Sequence, residues 1–196
     1  MRRSFCILLA LALVGAAQFV NAQEQTAKLE AYGGYYFARV NVNANVQGVP
    51  PSSTFNANGG GGQLEYNANH SLGMVGDLAG YGVTTTTNGA LEAGAYTYMF
   101  GPRANLRRGK VTPFAQALFG GVLGTHGIGR PGYESHFAMT TGGGLDFKVS
   151  QFISLRPVQA EYFMTKFPDG LSNRQNNFRF GTGIVIRLAK KASSPS

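Results

Sequence analysis

The segment Phe178–Leu188, FRFGTGIVIRL, constrains this chain more than any other. Its even positions carry Phe178, Phe180, Thr182, Ile184, Ile186 and Leu188. Its odd positions carry Arg179, Gly181, Gly183, Val185 and Arg187. Side chains alternate faces along a strand, so one face is apolar and the other holds small groups and two guanidiniums. A helix would spread both sets around its surface. The segment therefore reads as a strand between an apolar medium and a polar interior.

Seven further segments of this kind precede it. Ala27–Ala38 sets Leu29, Ala31, Gly33, Tyr35 and Phe37 against Lys28 and Glu30. Gly59–Ala68 sets Leu64 and Tyr66 against Gln63 and Glu65; Leu72–Tyr81 sets Leu72, Met74 and Leu78 against Asp77. A turn centred on His70 would bring Gln63 opposite Asp77. Leu91–Phe100 aligns Tyr96, Tyr98 and Phe100. Val111–Gly121 alternates least clearly, and its facing stays open. Ser135–Val149 puts Phe137, Met139, Leu145 and Phe147 outside, with Asp146 and Lys148 inside. In Phe152–Phe163 the apolar parity changes at Pro157, which predicts a bulge there and turns Arg156, Gln159 and Glu161 inward. A connection centred on Gly170 places Glu161 opposite Arg179.

The connections alternate between long and short, the longest being Arg39–Asn58, Val122–Glu134 and Met164–Asn177. The expected fold is all-β: an eight-stranded antiparallel up-and-down transmembrane β-barrel with both termini on one side. Such closure removes the edges that a lipid environment forbids. Composition agrees with a lipid-facing exterior. Only 13% of residues are charged, against about 25% in ordinary soluble domains. Only four lysines lie between Gln23 and Leu188, too few to solvate an outer surface.

Residues 1–22 read as a secretory signal peptide: Arg2 and Arg3, the apolar run Phe5–Val20, then Val20-Asn21-Ala22. The run is shorter than the roughly 20 residues of a spanning helix. The barrel is expected over residues 23–188, with 189–196 a short polar tail. The one cysteine, Cys6, leaves with the signal, so neither disulfides nor cysteine metal sites are expected. Without Arg2 and Arg3 the formal charge of +8 falls to +6. Export argues against nucleic acid as a partner.

The inward charges are Glu30, Glu65, Asp77, Asp146, Lys148, Arg156, Glu161, Arg179 and Arg187. An eight-stranded barrel is just wide enough for side chains to fill, so these charges are expected to pair as a structural network. Tyr32, Tyr35, Tyr36, Phe37, Tyr96, Tyr98, Phe100, Phe178 and Phe180 are expected in interfacial aromatic girdles. Arg103, Arg107, Arg108 and Lys110 in GPRANLRRGK read as a solvated turn. No catalytic, cofactor or metal residues are expected. Glu134-Ser135-His136 groups hydrolase residue types, but neighbours on a strand face opposite ways. His70, His126 and His136 have no ligand spacing, and Gly59–Gly62 lacks the Gly-Lys-Ser/Thr of a phosphate loop.

The pattern resembles small bacterial outer-membrane β-barrels of the OmpA-like, opacity-type eight-stranded class. Arg179–Ile186 looks like the terminal assembly signal of that family. Gly101-Pro102-Arg103, Thr112–Gly121 and Thr141–Asp146 look like its strand-end wording. The resemblance implies a Gram-negative-type outer membrane, contact with lipid or lipopolysaccharide, and recognition of Arg179–Leu188 by the barrel assembly machinery. It also implies a structural or surface-interaction role in adhesion or envelope integrity, with any extracellular ligand met by the long loops. It departs from the family in carrying AKKASSPS after Leu188, where the last strand usually ends on an aromatic. Larger OmpA-type proteins carry a C-terminal peptidoglycan-binding domain, and cell-wall anchoring through one is not expected here. A narrow porin-like channel and a soluble exported ligand-binding barrel are the alternatives; a membrane-embedded lipid hydrolase is a further one.

Overall fold

The structure, a computed structural model, describes residues 26–42, 53–85, 91–125, 133–166 and 174–189. Eight strands follow one another: β1 Leu29–Val42, β2 Ser53–Asn67, β3 Leu72–Thr85, β4 Leu91–Asn105, β5 Val111–Thr125, β6 Tyr133–Lys148, β7 Ile153–Thr165 and β8 Gln175–Ala189. Each pairs antiparallel with its sequence neighbour, and β8 closes on β1. Strands of 13 to 16 residues exceed the roughly 9–11 that a tilted membrane strand requires. The signal-peptide reading falls outside the described residues. So do segments 43–52, 86–90, 126–132 and 167–173.

Three short turns lie at the end that also holds both described termini, and each has a local cause. Asn69 Oδ1 accepts hydrogen bonds from the backbone N–H of Ser71 and Leu72, both at 2.8 Å. Ser150 Oγ does the same for Phe152 and Ile153. Between β4 and β5, Arg108 and Val111 exchange both backbone bonds at 3.1 Å across Gly109, whose φ of 57° suits a tight hairpin.

Alternation puts Leu64, Leu78, Tyr98, Phe100, Phe119, Ile184 and Ile186 on the outside, all exposed. Tyr35, Tyr96 and Phe178 face out near the loop ends; Tyr66, Phe147 and Phe152 do so near the turns. Tyr32 and Tyr36 break the expected girdle. Both are inside, because even positions of β1 face the lumen. Their ring volume fits because glycines oppose it. A Cβ on Gly61 or Gly181 would come within 2.8 Å of the Tyr36 ring.

The bulge on β7 falls where expected. Register shifts between Arg156 and Gln159, Pro157 and Val158 both face out, and Arg156, Gln159 and Glu161 all face in. Gln63 is paired with Asp77 and Glu161 with Arg179. On β5, even positions such as Phe114, Gln116 and Leu118 point inward.

Several strands outrun their expected limits. β1 reaches Val42 and β2 starts at Ser53, so both ends of the stretch expected as a loop, 39–42 and 53–58, are strand. β4 continues through Gly101-Pro102-Arg103 to Asn105, because polar side chains on its inner face do not interrupt the ladder to β3.

Candidate functional site: the lumen network

Among the described residues, the strands deliver five guanidiniums and five carboxylates to the barrel interior, Arg103, Arg107, Arg156, Arg179 and Arg187 with Glu30, Glu65, Asp77, Asp146 and Glu161. The formal charges cancel. Lys148, expected among them, lies half-buried at the turn end of β6.

At the centre, six side chains form a closed hydrogen-bonded ring. Arg103 donates to the Gln63 side-chain oxygen, and Gln63 Nε2 donates to Asp77 Oδ2 at 2.8 Å. Arg179 Nη1 donates to Asp77 Oδ1 at 2.9 Å, and its Nε to Glu161 Oε2 at 2.6 Å. Gln116 Nε2 donates to Glu161 Oε1 at 2.6 Å and accepts from Arg103 Nε at 2.8 Å, which completes the circuit. Two glutamines thus join Arg103 to the Asp77–Arg179–Glu161 triad, each passing one bond on as donor and taking another as acceptor. Tyr36 Oη adds a donor to Asp77 at 3.2 Å.

Arg156 hangs from this ring. It binds Asp146 through two parallel bonds at 2.7 and 2.9 Å and donates to Gln63 and Gln159. The bidentate fork gives geometric fit as well as charge. Aromatic faces fill the remaining space. The Phe114 centroid is 4.4 Å from the Arg103 guanidinium and 4.3 Å from that of Arg156. Tyr32 lies 4.5 Å from Arg156, and Tyr36 4.6 Å from Arg179. A ring quadrupole attracts the cation in such desolvated places.

Nearer the turns, Glu65 takes Arg103 Nη1 at 2.8 Å and Asn105 at 2.6 Å. Glu30 takes Arg107 at 3.1 Å and Arg187 at 3.4 Å. Arg107 also donates to Asn67 and to the His70 carbonyl, so it ties the β4–β5 turn to its neighbours.

The reading of GPRANLRRGK as one solvated turn is therefore corrected. Arg103 is 2% exposed and belongs to the ring, and Arg107 pairs with Glu30 at the turn end of the lumen. The signal was present: Met99, Gly101, Arg103 and Asn105 continue one parity beyond Phe100. Gln116 could not be placed while the facing of β5 was open. Of the Glu134-Ser135-His136 trio, Ser135 faces outward and its hydroxyl lies 3.0 Å from that of Tyr98. His136, on the adjacent position, is half-buried. Among the described residues, no group of three His, Cys, Asp or Glu side chains is arranged to hold a metal.

An apolar, lipid-facing exterior around a neutral, filled interior is the arrangement of small membrane barrels. Solved structures resemble it in fold. Neisserial surface protein A superposes with a TM-score of 0.63 at 10% identity, covering 82% of this chain and 97% of that one. The fold is that of the eight-stranded outer-membrane barrels. Ail, the attachment invasion locus protein of Yersinia pestis, gives a TM-score of 0.48 at 18% identity, covering 80% of this chain and 98% of its own. The N-terminal barrel domain of Pseudomonas aeruginosa OprF gives 0.49 at 12%, covering 83% and 100%. No protein-family model matches the sequence, and neither does any curated protein.

Proposed function

We propose that this barrel, exported through its first 22 residues, is a closed outer-membrane scaffold whose work is done on the cell surface by the segments joining its long connections. The role is one of surface interaction or envelope integrity rather than catalysis or conduction. The ring of Arg103, Gln63, Asp77, Arg179, Glu161 and Gln116 carries this reading. It crosses the lumen, its charges cancel, and every ring member is at least nine-tenths buried. A water-filled pore for solutes needs open, hydrated cross-section there instead. Loops on such a rigid scaffold are a natural binding surface. On this reading Arg179–Leu188 is the stretch the assembly machinery meets, and lipopolysaccharide surrounds the loop end.

Three measurements on outer-membrane fractions test the proposal. Unboiled protein should migrate faster than boiled protein on a denaturing gel. Protease added to intact cells should cut within 43–52 or 126–132 and leave the strands protected. Planar bilayers should show no stepwise conductance. Recovery in the soluble periplasm would overturn the membrane reading; steady conductance would overturn the closed one.

A further inference from the structure

The basic run in the β4–β5 region is only partly consumed by the lumen. Arg103 and Arg107 are turned inward, which leaves Arg108 and Lys110 exposed on the turn. Lys28 is exposed at the same end of the barrel, before β1. Among the described residues, every carboxylate near the turns, namely Glu30, Glu65 and Asp146, is buried in the lumen. Among the described residues, the surface at this end is therefore cationic even though the interior is neutral.

We propose that this turn-side rim, Lys28, Arg108 and Lys110, binds the anionic headgroups of phospholipids in the periplasmic leaflet. The assignment rests on the outer-membrane reading, in which short turns face the periplasm. Depth favours lipid over a wall polymer lying beyond the membrane. The Lys28 ammonium sits 5.9 Å from the centroid of Tyr66, a ring on the lipid-facing side. Leu106, Val149 and Phe152 are exposed in the turns themselves, Val149 by 64%. Apolar groups there enter the hydrocarbon boundary, while lysine and arginine stems carry their charges to headgroup phosphates. Each cation at an anionic surface is worth about fivefold in association. In sequence, the stretches on the loop side carry Glu92, Glu134 and Asp169 against Arg39, Arg130, Lys166 and Arg174, so the larger cationic excess belongs to the turns.

The test uses the full chain folded into phosphatidylcholine vesicles containing a minor share of phosphatidylglycerol. Spin-labelled versions of each lipid report which one the protein immobilises. The native barrel should prefer phosphatidylglycerol several-fold, with the preference shrinking as salt rises. The triple variant Lys28→Gln, Arg108→Gln, Lys110→Gln should lose most of it. The variant Arg39→Gln, Lys166→Gln, Arg174→Gln should keep it. Preference unchanged in the first variant, or lost equally in both, overturns the proposal. So does loss of binding to isolated peptidoglycan with lipid preference intact. The gel shift on boiling separates these outcomes from failure of the barrel itself, and the salt titration of the native chain tests the inference if the triple variant does not fold.

Discussion

Two sets of contacts in the lumen are built on different physical principles. One is ion pairs and amides, gathered around Arg103, Arg156 and Arg179 and, at the turn end, around Glu30. The other is apolar: Tyr32, Tyr36, Ala38, Ala57, Ala79, Tyr81 and Val185 form one cluster and Val75, Met99, Leu118, Val122, Ala138 and Phe163 another. Above these, Asn177 and Gln175 meet Thr165 near the mouth. The charged part fixes orientation, because each guanidinium has few acceptable partners at set angles. The apolar part fills volume without setting angles. What the comparison teaches is that packing occupies a barrel this narrow, whereas the directional bonds of the ring close it and fix how its strands face one another.

The largest effect should come from opening the network at its most connected point. Arg179 is fully buried and binds both Asp77 and Glu161. Arg179→Met would leave two buried carboxylates with one partner fewer. Breaking a buried pair in this way costs about 3–5 kcal/mol. Urea unfolding of vesicle-embedded protein should show a loss of that order, and a loss under about 1 kcal/mol would mean that the ring contributes little.

Leu118→Ala probes the other region. Leu118 is completely buried in the second apolar cluster, and truncation there should cost about 2–4 kcal/mol through transfer and cavity terms. The ring would stay intact, so bilayer conductance should not appear. Conductance from this variant would show that packing, not the ionic ring, seals the lumen.

Gln63→Leu should cost less than either. It removes no charge, but it takes away the acceptor shared by Arg103 and Arg156 and the donor to Asp77. Unmet buried groups of this kind cost about 1–3 kcal/mol. A double cycle with Arg103→Met should show strong coupling, since the two residues share one circuit. Simple additivity would mean that the ring acts as separate pairs.

How far the sequence discloses this molecule depends on parity. Where apolar and polar residues alternate without a break, as in Phe178–Leu188, strand, facing and network members follow together. The Pro157 bulge is legible for the same reason, since two apolar runs of opposite parity flank one proline. Arg103 is hidden because a basic run after an aromatic row resembles a turn, and only the inner-face parity of β4 distinguishes them. Tyr32 and Tyr36 are hidden because ring size says nothing of facing; their room comes from glycines on strands distant in sequence. The ring itself draws one residue from each of six strands, a juxtaposition that local patterns do not contain.

Glycines give the smallest and cleanest contrast, between inside and outside on adjacent strands. Gly61 faces the lumen, where an added Cβ would lie 2.5 Å from the Leu78 carbonyl oxygen and 2.8 Å from both Ala79 Cβ and the Tyr36 ring. Backbone cannot yield as a flexible side chain can, so Gly61→Ala should cost about 1–3 kcal/mol by overpacking. Gly76 faces the lipid, and an added Cβ there meets nothing within 4 Å. Gly76→Ala should stay within about 0.5 kcal/mol of the native barrel, or gain slightly as the unfolded chain loses freedom. Equal destabilisation by the two variants, in paired unfolding titrations, would mean that the outer face of β3 is packed against something as tightly as the lumen is filled.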